Sequence, residues 1–270
     1  MWPFRQLRRK KILRDALLPE HLWRQALFSG RPGLAGLSEN DKRHLRELTT
    51  LFLHEKIFEP ARALELTESM RVRIAVQACL PVMNLGIDWY DGWRTVIVYP
   101  GEFVRRREQT DDIGVMHEWD EVISGESWRL GPVILSWADV GASGLSETYN
   151  VVIHEMAHKL DLLNGEVDGF PPMHRDMSAR AWSAAFKAAF DDFNARLDAN
   201  EQTPIDAYAA EDPGEFFAVL SEYFFEAPDL LKAEYPAVYA QLRAFYRQDP
   251  VARLALPHGF GLGTEFDSSR

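Results

Sequence analysis

Cysteine is almost absent: Cys79 is the one thiol in 270 residues. That excludes an internal disulfide and any zinc site built from several thiolates, so a metal in this chain has to be held by histidine and carboxylate. A lone thiol also fits a reducing compartment, and a cytoplasmic location is expected. Basic charge is in deficit, with 30 Lys and Arg against 41 Asp and Glu for a net charge of −11 at pH 7. Such a surface repels a polyphosphate, which argues against direct binding of nucleic acid. Long apolar runs are missing too. Nothing approaches the roughly 20 residues of a membrane span, so no membrane partner is expected. The basic start holds Arg5, Arg8, Arg9, Lys10, Lys11 and Arg14, and Ile12-Leu13 is followed at once by charge. A secretory signal needs an apolar stretch of about 7–15 residues there, so the run reads as the solvated start of a helix. Repeats are absent at the periods of roughly 20–50 residues that mark solenoids and propellers.

What is present is enough to build a core, since 46% of residues are hydrophobic and 12% aromatic. Ser38, with Asp41 three residues on, offers a capping box, and Leu45, Leu48 and Phe52 recur at helical spacing, predicting a helix over 37–57. A second helix is expected over 68–78, ended by Pro81 and the Asn84-Leu85-Gly86 turn signal. The β-branched run Thr95-Val96-Ile97-Val98-Tyr99 reads as a strand closed by Pro100-Gly101, and 133–137 reads as another. Helical spacing returns beyond residue 145. Trp182, Phe186, Phe190, Phe193 and Leu197 form one core-facing stripe, and Val238, Leu242 and Phe245 another. Helices, then a small mixed sheet, then helices argue an α+β fold. No long Pro/Gly/Ser linker separates the parts, so residues 1–75 form a helical N-terminal portion of one unit with a catalytic portion over 76–250, and 251–270 is an irregular tail.

The chemistry lies in Asn150-Val151-Val152-Ile153-His154-Glu155-Met156-Ala157-His158-Lys159-Leu160-Asp161, which contains H-E-x-x-H. On a helix, residues i and i+4 stand on one face, so two imidazoles meet one ion, and the Glu after the first His lies beside that ion as a general base. With 8 His in 270 residues, chance supplies roughly 0.02 such motifs. His54-Glu55 and His117-Glu118 do not complete the pattern and read as surface residues. A catalytic zinc has three protein ligands and an open position, so a third donor is required. Asp161 and Asn164 stand where a glycine and a third histidine would continue the motif, so that donor is distant. Glu215 is the first candidate, on an apolar helix starting near Asp212; it can instead close a D-x-x-E capping box. Glu222, seven residues on, is the second, as ligand or as acceptor for an imidazole N–H, a part Asp161 can also play. A structural zinc would need a fourth ligand, for which His174 is the nearest spare imidazole.

Together these stretches resemble the Mlc titration factor A family of bacterial zinc metallopeptidases and, more distantly, the protease domain of anthrax lethal factor. The resemblance rests on residues 150–161, on Tyr208 seven residues before Glu215, on 215–225 and on 131–139, and spans roughly residues 20–250. It implies a zincin-type domain with one zinc ion (Zn2+) held by His154, His158 and Glu215, Glu155 as general base acting on zinc-bound water, and Tyr208 stabilising the oxyanion. It also implies aminopeptidase-like hydrolysis of a peptide or protein substrate, and binding of a transcriptional repressor of the Mlc type. The alternative is a mainly non-catalytic protein that sequesters such a regulator.

Overall fold

The computed structural model describes residues 2–27, 31–101, 131–142 and 148–255. The His117-Glu118 pair and the last fifteen residues of the expected tail lie outside them. The chain begins with helix α1 (Trp2–Asp15) and α2 (Glu20–Leu27), followed by α3 (Glu39–Glu55). Ser38 caps α3 as the sequence predicts: its side chain accepts from the Asp41 amide at 3.1 Å, and the Asp41 carboxylate accepts in return from the Ser38 amide at 3.3 Å. The helix ends two residues earlier than expected because Ile57 turns into a strand. Strand β1 (Ile57–Pro60) pairs in parallel with β2 (Thr95–Tyr99), which pairs in parallel with β3 (Val133–Ser136). The expected mixed sheet is therefore wholly parallel among the described residues. A parallel neighbour requires a crossover, and α4 (Glu68–Cys79) provides the one between β1 and β2.

Strand β3 stops at Ser136, one residue short of the expected end. The Ser136 hydroxyl accepts from the Asp139 amide at 3.2 Å, starting α5 (Trp137–Ala142) where a fifth strand residue would stand. The remaining helices are α6 (Val151–Asp161), α7 (Ala179–Asp198), α8 (Pro213–Glu226), α9 (Pro228–Glu234), α10 (Pro236–Tyr246) and α11 (Pro250–Ala255). The last corrects the expected irregular tail over its first residues. Asp249 accepts from the Ala252 amide at 3.1 Å and Pro250 occupies the first turn, an Asp-Pro helix start.

One apolar core runs from Leu18 to Tyr246 and joins the sheet, α6 and α8. Phe216, Phe217, Phe224 and Phe225 of α8 are buried on every side, each contributing about 1.5–3 kcal/mol. The α7 stripe meets them: Trp182 stacks on Phe186 at 4.3 Å, and Phe190 sits edge-on to Phe216 at 5.2 Å. α6 and α8 thus lie against each other at the centre of a dense core, and this juxtaposition brings the H-E-x-x-H face to the Glu215 helix.

Candidate metal centre

Helix α6 starts because the Asn150 side chain accepts from the Ile153 amide at 3.2 Å. Every residue of α6 is buried except Glu155 and His158, which are half-buried. These two lie on adjacent parts of one helix face, so the helix opens toward solvent only where the motif is. Helix α8 starts with Asp212, whose carboxylate accepts from the Glu215 amide at 2.9 Å. The return half of a capping box is not made. The Glu215 carboxylate reaches the two imidazoles instead, its Oε2 lying 3.0 Å from His154 Nε2 and 3.4 Å from His158 Nε2.

The rings of His154 and His158 also bring their Nε2 atoms to 3.1 Å. Three donor atoms thus gather at one point, and among the described residues no other His, Cys, Asp or Glu trio does so. His154 Nδ1 is 2.7 Å from Glu222 Oε1. Since an ionised carboxylate only accepts, Nδ1 carries the proton and Nε2 turns its lone pair to the gathering point. Glu215 Oε2 makes no hydrogen bond of good geometry although both rings are near, and it is buried. Burial pushes the Glu215 carboxyl up, but His154 and His158 together more than reverse this and hold it well below the usual carboxylate range.

A divalent cation at this point would resolve these features together. Tetrahedral ligands on bonds of about 2.0–2.1 Å stand roughly 3.3 Å apart, which the observed 3.0, 3.1 and 3.4 Å match. Two nitrogens and a carboxylate oxygen are the donors zinc accepts.

Behind the donors lies a carboxylate relay that the sequence reading did not assemble. Glu222 Oε2 accepts from the Asn150 amide, and Asn150 Nδ2 donates to Glu226 Oε1 at 2.5 Å. Glu226 Oε2 accepts from the Gly33 amide at 3.2 Å, and burial raises the Glu226 carboxyl above its ordinary range. The spacing Glu215, Glu222, Glu226 on one apolar helix was the available signal. Glu222 therefore stands at the far nitrogen of His154, away from the point where the three donor atoms gather. Asp161 does not orient an imidazole: it accepts from the Gly169 amide at 2.8 Å, and burial raises its carboxyl to about 7. His174 is elsewhere, its Nε2 2.8 Å from the Phe245 carbonyl and its ring against Trp89.

Tyr208 stands on a short 3₁₀ turn, Ala207–Ala210, whose start is fixed by the Asp206 carboxylate accepting from the Tyr208 amide at 2.9 Å. Its ring centroid lies 6.1 Å from that of His154. Beside it opens a cleft of about 560 Å³ lined by Thr148, Tyr149, Ile205, Asp206, Tyr208 and Tyr223 among others. Glu155 faces the open side of α6 one turn before Lys159. Burial lowers the Lys159 ammonium to about 8, attraction to Glu155 acting the other way, and its Nζ donates to the Gly131 carbonyl at 2.9 Å.

Known proteins are similar to this chain over most of its length. The model of the glucose-regulated metallo-peptidase M90 family matches residues 4–247. Mlc titration factor A of Enterobacter sp. (strain 638) is 41% identical over 261 residues, 96% of either chain. The protein of the same name in Cronobacter sakazakii is 40% identical over 257 residues, 94% of either chain. That of Klebsiella pneumoniae (strain 342) is 43% identical over 234 residues, 86% of this chain and 88% of its own. With the match covering nearly the whole described chain, this protein belongs to the glucose-regulated metallo-peptidase M90 family, that of the Mlc titration factor A proteins.

Proposed function

We propose that this protein is a cytoplasmic zinc peptidase in which His154, His158 and Glu215 hold the ion, Glu155 is the general base and Tyr208 steadies the oxyanion. The observation that carries the reading is the convergence of the three donor atoms within 3.4 Å of one another, with Glu155 on the one open face of α6. Zinc, when bound, supplies Lewis acidity that polarises a peptide carbonyl and makes water acidic near neutral pH. Glu155 takes the proton from the attacking water and delivers it to the leaving amine. The Tyr208 phenol, at the mouth of the cleft, donates to the oxygen on which negative charge develops. Glu222 fixes the His154 ring so that its Nε2 never turns away. Strand β3 is an outer strand among the described residues, and an extended substrate backbone can add to it. Removal of N-terminal residues is the mode the family resemblance favours.

Glu155→Gln decides between roles. It should keep one zinc per chain by metal analysis while peptide hydrolysis falls by about 10²–10⁴; an equally active variant would overturn the base assignment. The relatives are named for titrating Mlc, which favours a second reading in which a repressor of that type is bound. Capture of such a repressor by Glu155→Gln, undiminished, would support sequestration without cleavage. Loss of capture in that variant would count against it.

A further inference from the structure

Helix α1 has one face packed on the protein and one exposed. Arg5, Arg9, Ile12 and Leu13 turn inward. Arg9 meets Glu55 at 2.7 Å and Asp88 at 2.6 Å, and Arg5 pairs with Asp91 as well as Glu55. These contacts fix which side looks out. Phe4 and Leu7 are the most exposed large apolar side chains among the described residues, at 79% and 64%. At 100° per residue, Phe4, Leu7 and Lys11 share the centre of the outward face, Arg8 lies on one flank, and Lys10 and Arg14 lie on the other. Arg8, Lys10, Lys11 and Arg14 are all exposed; Arg14 pairs with Asp15, and the other three make no salt bridge among the described residues. A chain of net charge −11 thus carries a local cationic surface around two apolar side chains.

We propose that this outward face of α1 docks the protein on an anionic phospholipid surface. Lysine and arginine draw the helix to phosphate headgroups, while Phe4 and Leu7, exposed beside them, enter the boundary between headgroups and acyl chains. Phosphate alone gives no use to the two apolar side chains, and the acidity of the remaining surface opposes wrapping by a nucleic acid. No span is involved, and no described helix is long and apolar enough for one. The inference is independent of the peptidase reading.

Sedimentation of the full chain with vesicles tests it, using phosphatidylcholine alone and an equal mixture of phosphatidylcholine and phosphatidylglycerol. The protein should pellet with the mixed vesicles, remain in solution with the neutral ones, and come off as salt is raised. F4S/L7S and K10E/K11E should each weaken binding roughly tenfold or more at an unchanged melting temperature, since none of these side chains packs inside. No binding by the parent chain, equal binding to neutral vesicles, or binding that survives both double substitutions would overturn the proposal. Retention on duplex DNA without vesicle binding would overturn it in favour of a polyanion.

Discussion

His154 is held by its far nitrogen. Glu222 Oε1 lies 2.7 Å from Nδ1, with both side chains almost fully buried, so the ring has one orientation before any metal arrives. Such outer partners commonly tune metal affinity by 10–100-fold. Glu222→Gln should therefore bind zinc some tenfold to a hundredfold more weakly in competition with a chromophoric chelator, whereas Glu215→Ala should lose the ion outright. Equal loss in both variants would return Glu222 to the rank of ligand. The two histidines and Glu155 were legible in the sequence because helical periodicity alone fixes their mutual position. The choice between Glu215 and Glu222 was not. Both lie on one face of α8, and only the translation of α8 along α6 decides which carboxylate meets Nε2 and which meets Nδ1. Asp161 failed for the same reason, since a residue three positions after His158 shares its face but here turns to the Gly169 amide.

At the scale of elements, periodic helices were readable and short aperiodic ones were not. The core stripe of α7 and the capping box of α3 depend on residues close in sequence, so they survive into the fold unchanged. Strand β1 has four residues, one a proline and one the half-exposed Ile57; it exists because β2 offers a partner across the α4 crossover. The basic start of the chain has the sequence of a solvated helix start, yet Arg5 and Arg9 form a clasp with Glu55, Asp88 and Asp91. Burial pushes the Glu55 carboxyl up, and Arg9 and then Arg5 outweigh that to hold it below its ordinary 4.5. A carboxyl with a depressed folded value binds fewer protons than its unfolded form, so the clasp contributes fully above about pH 4.5 and is lost as pH falls through the lower folded value. Thermal unfolding between pH 6 and 3 should show Arg9→Ala destabilised by about 1 kcal/mol at the upper end. That difference should shrink toward the acid end. A gap independent of pH would mean that Arg9 acts by packing alone. Gly169 is a second junction, at φ +74° with its amide on Asp161 and its carbonyl accepting from Trp182 Nε1 at 2.9 Å. A Cβ there would overlap the Pro213 carbonyl at the start of α8. Gly169→Ala should accordingly cost about 1–3 kcal/mol in denaturant unfolding, and a neutral result would show that the α8 start can yield.

For the whole molecule, the candidate donors come from two helices deeply embedded in the single core, so metal binding at this site would be linked to global stability. Without a cation, two imidazole nitrogens and a carboxylate oxygen face one another, and that oxygen is buried without a hydrogen bond of good geometry among the described residues. Unsatisfied buried polar atoms cost about 1–3 kcal/mol each, a deficit placed at the centre of the fold rather than on a loop. On the proposed reading, zinc would bind the folded state and stabilise it by RT ln(1 + [Zn]/Kd), about 4 kcal/mol at a thousandfold excess over Kd. At about 2–4 °C per kcal/mol for a chain of this size class, chelation should lower the melting temperature by roughly 8–16 °C. The whole calorimetric transition should shift together, because α6 and α8 cannot loosen without opening the core. Glu215→Ala should melt at one temperature with or without zinc, and Glu155→Gln should respond to zinc as the parent chain does. A parent transition that ignores both zinc and chelator would sever the cluster from metal binding. A transition that splits in two would show that the site rides on a unit smaller than the fold.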